Sequence, residues 1–558
     1  MKTSLLRMFS RVAVLFGFAF APRLPATEPP ALVVVISIDQ FRADYLERFR
    51  AHFSAGGFNL LLEHGADFVD CHFKHSETKT APGHAVMLTG VHADLNGIIA
   101  NDWIDRDTMK LISAVGDPSV RALGLPPRQA ESPGGVDDPY LPRSPINLLV
   151  TTVGDELKLD RGGRPKVIGI SHKHRAAILM SGKMADAAYF MELGRMITST
   201  YYMPRLPGWV EQWNAAGKVD AYFGKTWDRL LPPADYAVQG PDDAPGEDGA
   251  AGHLGRTFPK TITGGAPGPG PAFYDAFENT PFANDVLEDF AENAIARENL
   301  GGRADVTDLL CLSFSANDHA GHLYGPDSHE VMDMVLRTDL TLEHFFRFLD
   351  QRIGLRRCLI VLTADHGVSP MPERIHALRP EVPAGRIDGN RLVAAGETAL
   401  DRAFGPLANG GHWLVRDDAW LLFLPAALKE KGVASAAAQD VVRTAVLKLD
   451  FVQAAYTREQ LEKGEVSDAP GRAALLSFNR ARSGDVFYQS KPYFFSRATG
   501  SNHGTPYNYD THVPLVWFGA GIAAGIHPEP VAPEDLAPTL AHLLGLPAPP
   551  LSMGRVLF

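Results

Sequence analysis

The chain has 558 residues, 45% apolar and 21% charged, so it can bury a large core and lacks the composition of a disordered protein. Asp and Glu outnumber Lys and Arg by 65 to 53, and the net charge of −12 argues against a nucleic-acid-binding role, which needs a basic surface. Only three cysteines occur (Cys71, Cys311, Cys358), which excludes a disulfide scaffold and a cysteine-rich zinc site. Any metal must therefore be held by Asp, His and hydroxyl groups.

The N-terminus reads as a targeting segment. Lys2, Arg7 and Arg11 precede an apolar run at 12–21 that is too short to span a bilayer. Cleavage is expected after Ala21 or after Ala26; the second is preferred, because the first leaves Pro22 at the new terminus. An uncleaved anchor is the alternative. Removing residues 1–26 removes Lys2, Arg7, Arg11 and Arg23 and no acid, which takes the net charge from −12 to −16. No later apolar stretch is long enough to cross a membrane, so the mature protein is expected in a periplasm or outside the cell. In an oxidising compartment three cysteines allow one bridge and one thiol.

Further along, strands end in chemistry. Residues 31–38 are a continuous β-branched run that stops at Asp39, the mark of a parallel strand buried on both faces. Strands are also expected at 167–171, running into His172-Lys173-His174-Arg175; at 309–315, just before Asp318; at 358–363, running into Asp365-His366-Gly367; and at 513–518, shortly after His503. Helical stretches at 58–63, 285–299, 330–349, 434–449 and 532–545 separate or follow them. The alternation implies an α/β protein with a mostly parallel central sheet and helices on both faces, whose ligands bind at the carboxyl ends of the strands. Two stretches, about 176–280 and about 370–495, read as insertions that cap or flank the sheet. The first contains Gly- and Pro-rich pieces at 264–271 and an acidic loop at 242–252.

Asp39, Asp318, His322, Asp365, His366 and His503 all fall at such strand ends. Three carboxylates and three imidazoles are roughly the N and O donor set of two zinc ions. Asp318 and His322 are four apart, so one helical turn points both the same way. Each piece alone is weak, since D-H-G is often a turn with a capping Asp; the joint placement is what signals a metal centre. Thr80, in T-A-P-G-H, is the nucleophile candidate. Thr followed by Ala81-Pro82 reads as a helix start with Thr as the cap. A metal on its hydroxyl would make it nucleophilic, and the helix N-terminus favours an anion. His84, one turn later, is taken as structural.

These pieces resemble the alkaline phosphatase superfamily, in particular the zinc-dependent, threonine-nucleophile alkaline phosphatases related to nucleotide pyrophosphatases/phosphodiesterases. The matching motifs run in the expected order: V-V-V-I-S-I-D-Q, T-A-P-G-H, G-I-I-A-N-D-W, H-K-H-R-A-A-I-L, S-F-S-A-N-D-H-A-G-H-L-Y-G-P, T-A-D-H-G and H-G-T-P-Y-N-Y-D-T-H-V-P-L. The resemblance implies one catalytic domain over 27–558. It implies one zinc on Asp318, His322 and His503, and another on Asp39, Asp365 and His366 with Thr80. It assigns Asn101, Lys173 and Arg175 to the phosphoryl group, with His174 standing where an acidic or neutral residue is expected. The implied activity is hydrolysis of small phosphate monoesters through a phosphothreonine. A phosphodiesterase or nucleotide pyrophosphatase would keep the metal ligands and lack the extra cationic pair; a sulfatase would need Cys or Ser at position 80 and Arg at 84. A non-catalytic binding protein on the same fold would be expected to have lost ligands, and none is missing.

Overall fold

The computed structural model describes residues 29–128, 134–136 and 138–558, so the targeting segment lies outside the described residues. Its centre is a ten-stranded sheet. In chain order the strands are β1 (Leu32–Ile38), β2 (Ala66–Phe68), β3 (Ala122–Leu123), β4 (Val167–Ser171) and β5 (Ala187–Glu192). They continue with β6 (Arg195–Ser199), β7 (Asp308–Phe314), β8 (Cys358–Thr363), β9 (Leu515–Gly519) and β10 (Gly525–His527). The spatial order is β10-β2-β9-β8-β1-β7-β4-β5-β6-β3. β8, β1, β7, β4 and β5 are mutually parallel; β9 runs antiparallel to β8, and β6 antiparallel to β5.

β1 is central because its whole sequence, L-V-V-V-I-S-I, is buried and can face apolar side chains on both sides. The alternation of β5 shows the two covered faces. Tyr189 packs at 5.3 Å on Phe290 of the helix Phe282–Glu298, while Phe190 joins the separate cluster of Ile178 and Leu179. The stretch 176–280, expected to cap or flank the sheet, therefore also contributes β5 and β6 to it. A-A-Y-F-M-E is an apolar run that completes the hydrogen bonding of β4. The later stretch builds its own four-stranded sheet from Leu414–Asp417, Trp420–Phe423, Val452–Thr457 and Val486–Ser490. Its helix Ser435–Val446 packs Ala438, Val442 and Val446 into that module's core.

One expectation about direction is corrected. The strand after His503 is antiparallel to its neighbour, not a further parallel strand. Its first residue, Leu515, lies beside Thr363 at the end of β8, so a chain entering β9 arrives at the same sheet edge where parallel strands leave. That geometry brings His503 to the site. Cys311 and Cys358 are not on adjacent strands, since β1 lies between them, facing Cys311 with Val35 and Cys358 with Leu32. All three cysteines are free and buried.

Candidate active site

Four strand boundaries converge on one place. Asp39 follows β1, and its N–H donates to Phe314 O at the end of β7 at 2.9 Å. Asp365 and His366 follow β8. Asp318 and His322 lie one turn apart on the helix Ala316–Tyr324, which begins just after β7. His503 comes from the loop before β9. The result is two trios, Asp318/His322/His503 and Asp39/Asp365/His366, whose potential ligand atoms lie within 4.8 Å of one another in each trio. The His366 and His503 rings stack at 3.6 Å, so the trios adjoin.

The imidazoles are oriented from behind. Nδ1 of His322 pairs with Ser501 O at 2.9 Å, that of His366 with Gly367 O at 2.9 Å, and that of His503 with Thr78 O at 2.8 Å. A donated Nδ1–H leaves Nε2 as the basic nitrogen. Each Nε2 faces a carboxylate: His322 and His503 lie 3.3 and 3.6 Å from Asp318 Oδ1, and His366 lies 3.4 Å from both Asp39 Oδ1 and Asp365 Oδ2. Burial drives His366 down to about 3 and His503 well below the usual imidazole value, which keeps both neutral, as ligands must be. Burial, reinforced by Asp365, raises the Asp39 carboxyl well above its ordinary value, and burial pushes Asp365 up to about 7. Burial works against charge on Asp318 too, but His322 and Lys173 outweigh it and hold this carboxyl well below its usual value. Asp39 Oδ1, Asp365 Oδ2 and His366 Nε2 are buried without a hydrogen-bond partner. Buried polar atoms left so are costly, and converging N and O donors of this kind fit a divalent cation.

The ammonium of Lys173 lies between the trios, 2.7 Å from Asp39 Oδ2 and in contact with Asp318 Oδ2. Arg175 is held 2.9 Å from Asp102 Oδ2 and near Asn101 O. Asn101 Oδ1 accepts the Ala81 N–H at 2.8 Å, which leaves its amide nitrogen to face the cleft. His174, between Lys173 and Arg175, points the other way. It lies half-buried and edge-on to Phe190 at 5.9 Å, so it does not belong with the polar groups that face the site.

Thr80 is the first residue of the helix Thr80–Thr89, and Lys79 takes the cap position in extended conformation with no side-chain cap. The expected capping role is thus not observed. The backbone turns into the helix one residue earlier, which leaves the Thr80 side chain free of that task. This helix is buried on every side. It presses so closely on the end of β8 that any side chain at Gly83 would collide with the backbone of Asp365. His84 sits in this junction, 2.8 Å from Thr80 O, 3.0 Å from Ser313 Oγ and 3.2 Å from Asp365 Oδ2. It ties the helix to β7 through Ser313 and, as expected, belongs to neither trio.

Two supporting residues were overlooked in the sequence. Gln40 donates from Nε2 to Asp318 Oδ1 at 2.7 Å and from its backbone to Asp365 Oδ1 at 3.1 Å, and so braces one carboxylate of each trio. It does so with φ 61°, a conformation that a non-glycine residue adopts only when its surroundings enforce it. Asn317 Nδ2 donates to the carbonyls of Asp39 and Gln40 at 3.1 and 3.0 Å. Both stand beside a ligand candidate, in D-Q and N-D-H, and that adjacency was the available signal.

The family described as type I phosphodiesterase / nucleotide pyrophosphatase matches residues 33–496. Alkaline phosphatase PhoV of Synechococcus elongatus is 34% identical over 95% of this chain and 92% of its own. A protein named calcium-transporting ATPase from Myroides odoratus is 33% identical over 94% of each. Alkaline phosphatase PafA of Elizabethkingia meningoseptica is 30% identical over 98% of this chain and 97% of its own. The crystal structure of PafA superposes with a TM-score of 0.86, at 29% identity, over 96% of this chain and 99% of PafA. A solved PafA variant, with a threonine changed to serine and an asparagine, a lysine and an arginine changed to alanine, gives 0.85. By sequence and by fold, this chain belongs to the type I phosphodiesterase/nucleotide pyrophosphatase family of the alkaline phosphatase superfamily.

Proposed function

We propose that this chain is an exported, zinc-dependent alkaline phosphatase that hydrolyses small phosphate monoesters through a phosphothreonine at Thr80. The observation that carries the reading is the pair of adjoining Asp/His trios beside the start of the Thr80 helix. Relatives named alkaline phosphatase cover nearly the whole chain and support it. The residue types changed in the solved PafA variant are those of Thr80, Asn101, Lys173 and Arg175, in the same order.

Asp318, His322 and His503 would hold one zinc; Asp39, Asp365 and His366, with Thr80, would hold the other. When bound, the two metals supply Lewis-acid stabilisation of charge in an in-line displacement. Thr80 Oγ1 attacks phosphorus as the bond to the leaving oxygen breaks, and water then cleaves the phosphothreonine, so configuration at phosphorus is retained overall. The helix N-terminus favours the anion. Asn101, Lys173 and Arg175 donate to the non-bridging oxygens, where charge-assisted bonds are strongest. Gln40 braces one carboxylate of each trio, Asn317 holds the backbone carbonyls of Asp39 and Gln40, and His84 ties the start of the helix to Ser313 on β7.

A phosphodiesterase is the second reading, since the matching family carries that description. Lys173 and Arg175 favour the monoester, whose extra negative charge they neutralise. A binding protein without activity is disfavoured because all six metal-ligand candidates are present. The leader at 1–26 and a periplasmic or secreted location belong to the same proposal; no helix among the described residues is long and apolar enough to cross a membrane. The deciding experiment compares an aryl phosphate, an aryl phosphodiester and an aryl sulfate on zinc-loaded protein. The monoester should be fastest. A faster diester would replace the main reading with the second.

A further inference from the structure

The two trios are not equally open. His322 and His503 line a cleft of about 690 Å³, together with Asn101, Lys79, Arg416 and Arg497, whereas Asp39, Asp365 and His366 take no part in its wall. If Thr80 attacks from the side of the second trio, the leaving group departs on the side of the first, into this cleft. This step rests on the function proposed above.

The far wall comes from the four-stranded module and the segment that follows it. Arg416 stands on the strand Leu414–Asp417, and Arg497 stands six residues before His503. Each of the cleft's acids already has a partner within the protein. Asp102 pairs with Arg175 at 2.9 Å, Asp418 contacts Lys79, and Asp417 accepts the Ile104 N–H at 2.9 Å. The two arginines are not so matched. Arg416 donates Nε to Asp418 O at 3.1 Å and also hydrogen-bonds Tyr488, and among the described residues neither guanidinium has a carboxylate within ion-pair distance. Asp318 and Asp248 act on Arg497 only through space.

Arg497 is also held in place. Arg386, itself 2.8 Å from Glu373 Oε1, donates Nη1 to the carbonyls of Arg497 and Gly500 at 3.1 Å each. Gly500, at φ 66°, lets the chain lie against His322 O, where a side chain would collide. Two cations without a carboxylate partner among the described residues thus face the cleft, at least one of them on a clamped backbone, in a chain whose net charge is −12. An anion entering there would meet charge-assisted donors already positioned.

We propose that Arg497, aided by Arg416, selects phosphate monoesters whose leaving group carries a second anionic group, a carboxylate or another phosphate. The test measures phosphate release from glycerol 1-phosphate against 3-phosphoglycerate, and from fructose 6-phosphate against fructose 1,6-bisphosphate, with zinc content verified. The first pair reads the carboxylate and the second the phosphate. Arg497→Ala should lower kcat/KM for at least one charged member about 10-fold more than for its neutral match, chiefly through KM. Arg497→Lys should restore part of the difference, which a purely structural residue would not show. Rising salt should shrink the wild-type preference in the same pair, a reading that needs no variant. Equal losses within both pairs, or a wild-type ratio insensitive to salt, overturn the inference and leave the monoesterase standing. Failure of the wild type to hydrolyse any of the four substrates overturns both.

Discussion

Replacing Lys173 with Ala removes the ammonium that lies between the trios. In the structure it contacts Asp318 Oδ2, lies 2.7 Å from Asp39 Oδ2, and is largely shielded from solvent. In the proposed reaction it neutralises a non-bridging oxygen of the dianionic monoester; a diester offers one charge fewer. A charge-assisted hydrogen bond contributes about 1.5–3 kcal/mol, or roughly 10- to 100-fold in rate when made in the transition state. Arg175 shares its guanidinium with Asp102 and Asn101 O, so Arg175→Ala should cost less than Lys173→Ala. Metal retention should not confuse the result, because losing a cation between Asp39 and Asp318 leaves more negative charge to hold metal. The assay is kcat/KM on a matched aryl monoester and diester, for each single variant and the double variant, with zinc content measured. Monoester hydrolysis should fall by a larger factor than diester hydrolysis. Equal factors would mean that the pair supports folding or general attraction, and the monoesterase reading would lose its main sequence support.

Elemental analysis of active protein should find about two zinc ions per chain, and His503→Ala should lower both zinc content and activity more than His84→Ala does; equal losses would mean the ligand set is misassigned. His172 supplies a pH prediction away from the ligands. Burial holds it at about 4, and Nε2 pairs with Ala283 O at 2.9 Å. Its folded value lies below the unfolded value of about 6.5, so the unfolded chain binds the extra proton and stability falls as pH drops from about 6.5 towards 4. His172→Gln should remove up to about 3 kcal/mol of that acid-induced loss in denaturant unfolding. An unchanged pH slope would refute the assignment.

Much of the site was legible because its residues terminate apolar runs. A buried β-branched strand such as β1 signals itself, and Asp39 and Asp365 can be read as the first polar residues past two such strands. The i, i+4 spacing of Asp318 and His322 is equally local. What stayed hidden depends on long-range geometry. Nothing near residue 515 states that β9 reverses direction, yet the reversal delivers His503. The A-A-Y-F-M-E segment looked like part of an insertion because its partner strand β4 is separated from it by a helix and a turn. Gln40 acts through contacts with residues 278 and 325 positions away, which no spacing rule encodes. Arg416 and Arg497 gain meaning only from a cleft built by two parts of the chain.

The central claim is that Thr80 carries the phosphoryl group. Zinc-loaded protein mixed with labelled aryl phosphate, quenched in acid within one turnover and digested, should yield label on the peptide that contains Thr80. Thr80→Ser should remain measurably active, and Thr80→Ala should give neither label nor most of the activity. Label on any other residue, or full activity in Thr80→Ala, would contradict the account.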